Sequence, residues 1–340
     1  MRFLFLTFFS LLLNHLHAYE VLTISDSIVD HILYVDEAFV RSLPGEMGGS
    51  ELVDNTLFKQ IISGSGTAPT IRPGASAVNT IKGLQQLGHS CGLNTTVGSD
   101  PEGDFFLNSL NAQGIVLHLK NSSIPTGKSA CLVTPNKERT MRTFLGASRE
   151  NNHLRLESKM FKDISHFHLE GYQLKHKQLV KEAIALARKN SATISIDLSS
   201  FEVVKANDAF IWDLLNNKEI DILFANQEEA FTLTGLAPKE AAELVANFCD
   251  ISVVTVGENG CYTNQGSAQW KCPALSVEAI DTIGAGDLFI SGFLHGFLTK
   301  EPVSTCACWG TLLASRVVQV LGAEIPNDQW DVIRSLVVKL

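Results

Sequence analysis

The chain has 340 residues, 45% of them hydrophobic and 19% charged, which describes a globular protein with room for one large α/β domain or two ordinary ones. Its formal net charge of −9 excludes general binding to nucleic acid, whose phosphates need a basic surface, but leaves a nucleotide ligand open. Seven cysteines occur with no C-x-x-C pair, which argues against structural zinc and suits a reducing compartment. Cys306-Ala307-Cys308 reads as the small-residue face of a helix rather than a metal or redox pair.

Arg2 precedes an apolar run from Phe3 to Leu13 and then Asn14-His15-Leu16-His17-Ala18. This is either a secretory signal peptide cleaved after Ala18 or an N-terminal extension, too short for a comfortable membrane span. Residues 1–18 are therefore set apart from the fold, and no later stretch reads as transmembrane.

Val21–Ile24 is a short apolar run that predicts a buried strand. Residues 37–73 carry Gly45, Gly48, Gly49, Gly64, Gly66, Pro69 and Pro73, and read as an irregular excursion from the main sheet. Ala75–Leu87 predicts a helix with Val78, Ile81 and Leu84 on one face and Gly88 as its stop. Ser129–Val133, a turn at Pro135-Asn136, and Arg139–Leu145 predict a strand and its return. His166 and His168 fall on one face of a strand and, with no third ligand in view, read as core or surface residues.

From there strands and helices alternate. A helix is expected over Lys177–Lys189, strands over Thr193–Asp197 and Asp221–Ala225, a helix over Pro238–Phe248 and a strand over Ile251–Val256. Such alternation implies a parallel sheet covered on both faces.

Asp281-Thr282-Ile283-Gly284-Ala285-Gly286-Asp287-Leu288-Phe289 carries the chemistry. Its glycines open a helix whose buried stripe is Ile290, Phe293, Leu294 and Phe297. A glycine-rich turn at a helix start offers free N–H groups and a positive dipole end to an anion such as phosphate. Asp287, in the first turn beside that anion hole, is placed to take a proton from a substrate hydroxyl.

The run closely resembles the D-T-x-G-A-G-D-x-F signature of the ribokinase-like (PfkB) family of carbohydrate and nucleoside kinases. The resemblance covers the body from about Val21 to near the C-terminus. It implies an α/β fold, a ribokinase-like three-layer sandwich with a largely parallel central sheet and a small β-rich lid. Residues 19–340 would form the kinase domain, with lid segments at about 31–73 and 115–145. It also implies ATP, Mg²⁺ and transfer to a hydroxymethyl group.

Carried over residue by residue, Asp287 is the catalytic base, assisted by Gly284, Ala285 and Gly286. Gly74-Ala75-Ser76-Ala77-Val78-Asn79-Thr80 resembles the family's G-G-S-x-x-N-T segment, with Ala75 in place of the second glycine. Gly74 and Asn79 are therefore expected at the substrate, together with Asp30 at the end of the first strand and turn, and Glu170 ahead of Gly171-Tyr172. Asp26 reads as a turn residue.

Asn226-Gln227-Glu228-Glu229 resembles the N-x-x-E motif that organises Mg²⁺, with Glu229 as the metal residue and Asn226 near the phosphates. Thr255, Gly257 and Gly260 match T-x-G-x-x-G and, with Thr282, are expected at the nucleotide. Lys137–Ser148 is similar to a segment of the adenosine-kinase-like branch; Arg139 and Arg142 read first as exposed strand cations and second as phosphate ligands.

The substrate expected is a nucleoside such as adenosine, with a ketohexose or ribose as the alternative. A degenerate member acting as a binding protein is the rival class. A dinucleotide oxidoreductase is discounted because Ser25-Asp26-Ser27, not G-x-G-x-x-G, follows the first strand. The remaining expectations are a monomer or homodimer, and a cytoplasmic location unless residues 1–18 direct export.

Overall fold

A computed structural model describes residues 19–338, so the leader lies outside the described residues. The first half of the chain runs β1 (Val21–Ile24), β2 (Ile28–Tyr34), α1 (Glu37–Arg41), β3 (Ser50–Leu52), α2 (Asn55–Gly64), β4 (Thr70–Pro73), α3 (Ser76–Gln86), β5 (Cys91–Gly98), α4 (Pro101–Ala112), β6 (Val116–Ser122), β7 (Gly127–Val133) and β8 (Arg139–Phe144). Then come β9 (His166–Glu170), α5 (Lys177–Lys189), β10 (Thr193–Asp197), α6 (Phe201–Asn216), β11 (Ile222–Asn226), α7 (Gln227–Thr234), α8 (Pro238–Val245) and β12 (Ile251–Thr255). The chain closes with β13 (Cys261–Gln265), β14 (Ala268–Cys272), α9 (Ala285–Leu298), α10 (Val303–Val317) and α11 (Asn327–Leu336).

A nine-stranded sheet has the order β14-β13-β12-β11-β10-β9-β1-β5-β6. It is parallel from β12 to β6 and antiparallel only in the β12-β13-β14 meander. Successive strand residues point to opposite faces, so a continuous apolar strand feeds two cores. Leu22 and Ile24, with Leu223 and Ala225, face the core built with α5, α6 and α8. Val21, Ile222 and Phe224 face the other core with α3, α4, α9 and α10. This is the three-layer sandwich expected. His166 and His168 are buried in it, both contacting Ser195 Oγ, at 2.7 and 2.8 Å.

Beyond β1 the buried Ser25-Asp26-Ser27 link carries the chain directly into a second, five-stranded sheet of order β3-β8-β7-β2-β4. Two expectations are corrected here. Residues 37–73 are not irregular: they hold α1, β3, α2 and β4, and Phe58 and Ile61 of α2 bury against Leu33, Ala130 and Leu132 of the small sheet. The second segment does not begin at 115, because β6 pairs with β5 in the large sheet, so the small sheet resumes only at Gly127. Both differences have one cause: glycine and proline mark turns but do not say which sheet the flanking strands join.

Arg142 also departs from expectation. It is fully buried, and its guanidinium donates to the carbonyls of Pro44, Glu46, Gly49 and Met141. It fastens the β3 loop and is neither an exposed strand cation nor a phosphate ligand. Asp26 is no simple turn residue either. Its carboxylate is buried and accepts from Asn151 Nδ2 at 2.9 Å and Gln173 Nε2 at 2.8 Å, with Lys175 Nζ at 3.1 Å.

Candidate active site

The site forms where the C-terminal ends of β9, β10, β11 and β12 meet the N-termini of α3 and α9, beneath the small sheet. Ligands bind at the carboxyl ends of strands in open α/β sheets because helix starts and loops converge there. α3 and α9 pack closely enough that a Cβ on Gly83 would collide with the Ser291 side chain. Ser291 Oγ locks the pair by donating to the carbonyls of Thr80 and Asp287.

This packing sets Asp287 against α3. Its Oδ1 accepts from Ser76 Oγ at 2.7 Å and its Oδ2 from Asn79 Nδ2 at 2.9 Å. Burial pushes its carboxyl up to about 7, although both hydrogen bonds pull the other way. Asn79 thus lies against Asp287, and its Oδ1 is buried with no donor among the described residues. A buried acceptor of that kind is costly unless a ligand hydroxyl completes it.

The loop ahead of α9 is held open. Gly284 is the N-cap at φ 73°, no side chain among the described residues caps the helix, and the amides of Gly286 and Asp287 are left for a ligand while that of Ala285 donates to the Thr282 carbonyl. Asp281 secures the loop, accepting from Ile283 N and Gly322 N, both at 2.9 Å. Arg139, from β8, reaches across to Asp281 Oδ1 at 3.2 Å and donates to Thr282 Oγ1 at 3.0 Å. Its first-choice reading as an exposed cation is therefore replaced by a bridge from the small sheet to the anion loop. A Cβ on Gly286 would meet nothing within 4 Å, so the space beside it is open.

Asp30, on β2, is buried, and burial raises its carboxyl to about 7; the field of Lys82 opposes that rise and the field of Asp287 adds to it. Gly74 is needed directly alongside, because any Cβ there would collide with the Asp30 carboxylate. Ala75 follows at φ 79° and ψ 142°, a backbone that suits glycine. Ala75→Gly should relieve strain of about 1–3 kcal/mol at a glycine entropy cost of about 0.5–1 kcal/mol. A rise in melting temperature of a few degrees is expected; a fall in a thermal melt would refute the strain.

Glu170, expected at the substrate, is held by the protein itself. It is fully buried and accepts from Ser25 Oγ, Asp26 N, Ala77 N and Gln173 Nε2. Its carboxylate caps the start of α3, which has no cap of its own, three residues ahead of Asn79. Tyr172, two residues on, keeps 40% of its surface exposed, and the charges of Asp197, Glu170 and Asp287 all act on its hydroxyl.

Two neighbours were missed. Ser76 Oγ lies 3.4 Å from Asp197 Oδ2 as well as against Asp287, and burial with the nearby Glu229 raises Asp197 to about 8. Asp197 ends a predicted strand, so its position at the carboxyl edge of the sheet was the available signal. Lys82 is buried between the Pro73 carbonyl at 3.2 Å and Glu324 at 2.5 Å, and nothing in its helical context marks it.

Asn226 caps α7 in a capping box: its side chain accepts from Glu228 N and Glu229 N, while Glu229 accepts from Asn226 N at 2.8 Å and Nδ2 at 2.7 Å. Burial raises the Glu229 carboxyl to about 7. Among the described residues no three His, Cys, Asp or Glu side chains form a metal cage. Each Glu229 oxygen keeps a second lone pair, which fits a Mg²⁺ ion held through its own waters. Thr255 pairs in register with Asn226, and Gly257 and Gly260 both take positive φ just beyond it. Those three and Asn226 therefore share one edge, while Thr282 lies on the anion loop.

A twofold layering of a parallel sheet and a small sheet, closed over a carboxylate at an uncapped helix start, defines a class of phosphoryl-transfer enzymes. The pfkB family carbohydrate kinase model matches residues 52–330, and the chain belongs to that family. It superposes with a TM-score of 0.87 on a structure of a probable sugar kinase from Rhizobium etli, at 29% identity over 94% of this chain and 98% of that one. A TM-score of 0.87 also relates it to adenosine kinase from Sinorhizobium meliloti, at 28% identity over 94% and 99% of the two chains. Adenosine kinase of Dictyostelium discoideum is 25% identical over 91% of this chain and 97% of its own. Two further curated relatives, at 31% and 33% identity, are aligned over only 40% and 32% of their own lengths.

Proposed function

We propose that the protein transfers the γ-phosphoryl group of ATP to the hydroxymethyl group of a small nucleoside, with an adenosine-like compound first and a ketohexose or ribose second. The observation that carries this reading is Asp287, a raised carboxyl fixed by Ser76 and Asn79 at the open start of α9. In the ionised form it takes the hydroxyl proton as the oxygen attacks phosphorus, and the first-turn amides stabilise the charge on the transferred group. Asn226 and Glu229 would hold the waters of Mg²⁺, which supplies charge neutralisation when bound.

Asp30 and Asn79 Oδ1 orient the substrate hydroxyls, and Arg139 draws the small sheet toward the anion loop so that water is kept out. Tyr172, partly exposed and within the field of these carboxylates, supports a planar base in the acceptor. The adenosine kinases among the relatives support the same choice.

A coupled assay with Mg·ATP across nucleosides and sugars tests this reading, and turnover of no member by folded protein would reject it. Asp30→Ala should raise the KM of the acceptor by about one to two orders of magnitude, since each hydrogen bond to a charged group contributes about 1.5–3 kcal/mol. ATP affinity and melting temperature should hold, because a buried carboxyl is removed rather than a cage. Equal loss of ATP and acceptor binding would make Asp30 structural.

ATP consumption and seven free thiols support a cytoplasmic setting. Among the described residues no helix is long and apolar enough to cross a membrane. Fractionation of the native cell checks the location: a form beginning at Tyr19 outside the cytoplasm would overturn it.

A further inference from the structure

Seven cysteines are free in this chain, and their surroundings divide them sharply. Burial pushes Cys249, Cys261 and Cys306 up to about 12, and raises Cys91 and Cys131 as well. These five are inert packing residues. Cys306 and Cys308, two apart on α10, do not pair with each other; Cys306 Sγ turns toward the Glu301 carbonyl.

Cys308 instead meets Cys272, the last residue of β14, with the two Sγ atoms 2.9 Å apart. Thr311 Oγ1 lies 3.6 Å from Cys272 Sγ, and Cys308 is the one cysteine of the seven that is not buried. The two sulfurs lie within hydrogen-bond distance, and that bond favours the thiolate on Cys272 while holding the proton on Cys308.

The location matters as much as the chemistry. Cys272 pairs in register with Cys261, immediately after Gly260. Gly260 packs so tightly on the Cys272 carbonyl that no Cβ fits between them. Closing a disulfide draws the sulfurs from 2.9 Å to about 2.05 Å. That pull acts on the end of β14, against which the Gly257–Gly260 loop rests.

We propose that Cys272 and Cys308 form a peroxide-sensitive dithiol that closes to a disulfide behind the Gly257–Gly260 loop and weakens nucleotide binding there. The effect on binding rests on the nucleotide role that the family resemblance implies for that loop. Hydrogen peroxide is the oxidant. The thiolate attacks one peroxide oxygen, the O–O bond breaks, hydroxide leaves and a sulfenic acid forms. The second thiol then attacks that sulfur, the S–O bond breaks and water departs. Two thiols are oxidised by two electrons, one peroxide is reduced, and the thiol protons end in two waters.

The test treats the full chain with hydrogen peroxide and maps its thiols. Two of the seven titratable thiols should be lost, with a Cys272–Cys308 linked peptide that dithiothreitol releases. The oxidised protein should bind ATP about tenfold more weakly, and reduction should restore it. Cys308→Ser should give no linked peptide and keep the reduced protein's affinity after the same treatment. Cys272→Ser, on the other side, should also give none.

Absence of the linked peptide, or equal thiol loss in wild type and Cys308→Ser, would overturn the dithiol. A linked peptide with unchanged ATP affinity would overturn its control of the loop. Failure of the reduced protein to bind ATP at all is a different result, and would count against the proposed function instead.

Discussion

Asp287→Asn is expected to cut turnover by about two to four orders of magnitude while ATP still binds, the usual worth of a positioned general base. The substitution is nearly isosteric, and the first-turn amides of α9, where the phosphates are proposed to bind, are main-chain groups. Ser76 Oγ and Asn79 Nδ2 both donate to the native carboxylate, so the new amide leaves one of them facing a donor. Single-turnover kinetics with saturating ATP separate binding from chemistry, and near-normal turnover by a folded variant would remove Asp287 from the base role.

The same residue sets a pH dependence. Its carboxyl is raised from 3.8 to about 7 in the fold, so the folded state holds the proton more tightly than the unfolded chain. As a base it is silent below that value, and kcat/KM should climb as pH rises through about 7. Stability moves the other way: ionising a buried carboxyl costs the fold, so its contribution falls as pH rises from about 4 toward about 7 and is flat beyond. Opposite slopes of activity and stability across that interval distinguish this carboxyl from one merely salt-bridged at the surface.

How much of this was legible in the sequence depends on the range of the interaction. The strand and helix alternation after residue 177 was legible because each element carries its own period, and α5 and β10 fall where the pattern put them. Gly284, Gly286 and Asp287 were legible because a glycine turn and a helix start are local events. What holds that turn was not: Asp281 is closed by the amide of Gly322, 41 residues away, and by Arg139 from another sheet.

The capping role of Glu170 was hidden for the same reason. Its position at a strand end gave no sign that the helix start at Ala77 lies against it, 93 residues back in the chain. Arg142 looked like a surface cation because alternation along β8 says which residues share a face, not whether another loop covers that face. The capping box of Asn226 and Glu229 is the opposite case, since both partners lie within four residues of chain.

Gly286→Ala makes the complementary test of the anion hole, because here fold and function separate. Gly286 does not occupy a left-handed backbone, and an added Cβ would meet nothing within 4 Å. Alanine at a helical position it can adopt without strain stabilises by about 0.4–1 kcal/mol, chiefly by restricting the unfolded chain. The melting temperature of the variant should therefore hold or rise slightly. Turnover should not, because the methyl projects into the space beside the first-turn amides where the transferred phosphoryl group is proposed to sit. Displacing that group by about 1 Å costs on the order of 100-fold in rate. Gly284→Ala is the control: it forces alanine into φ 73° and drives its Cβ against Ala323, so both stability and activity should fall. Circular dichroism melts beside steady-state kinetics read the two variants, and full activity in a Gly286→Ala protein of native stability would show that no phosphate approaches this turn.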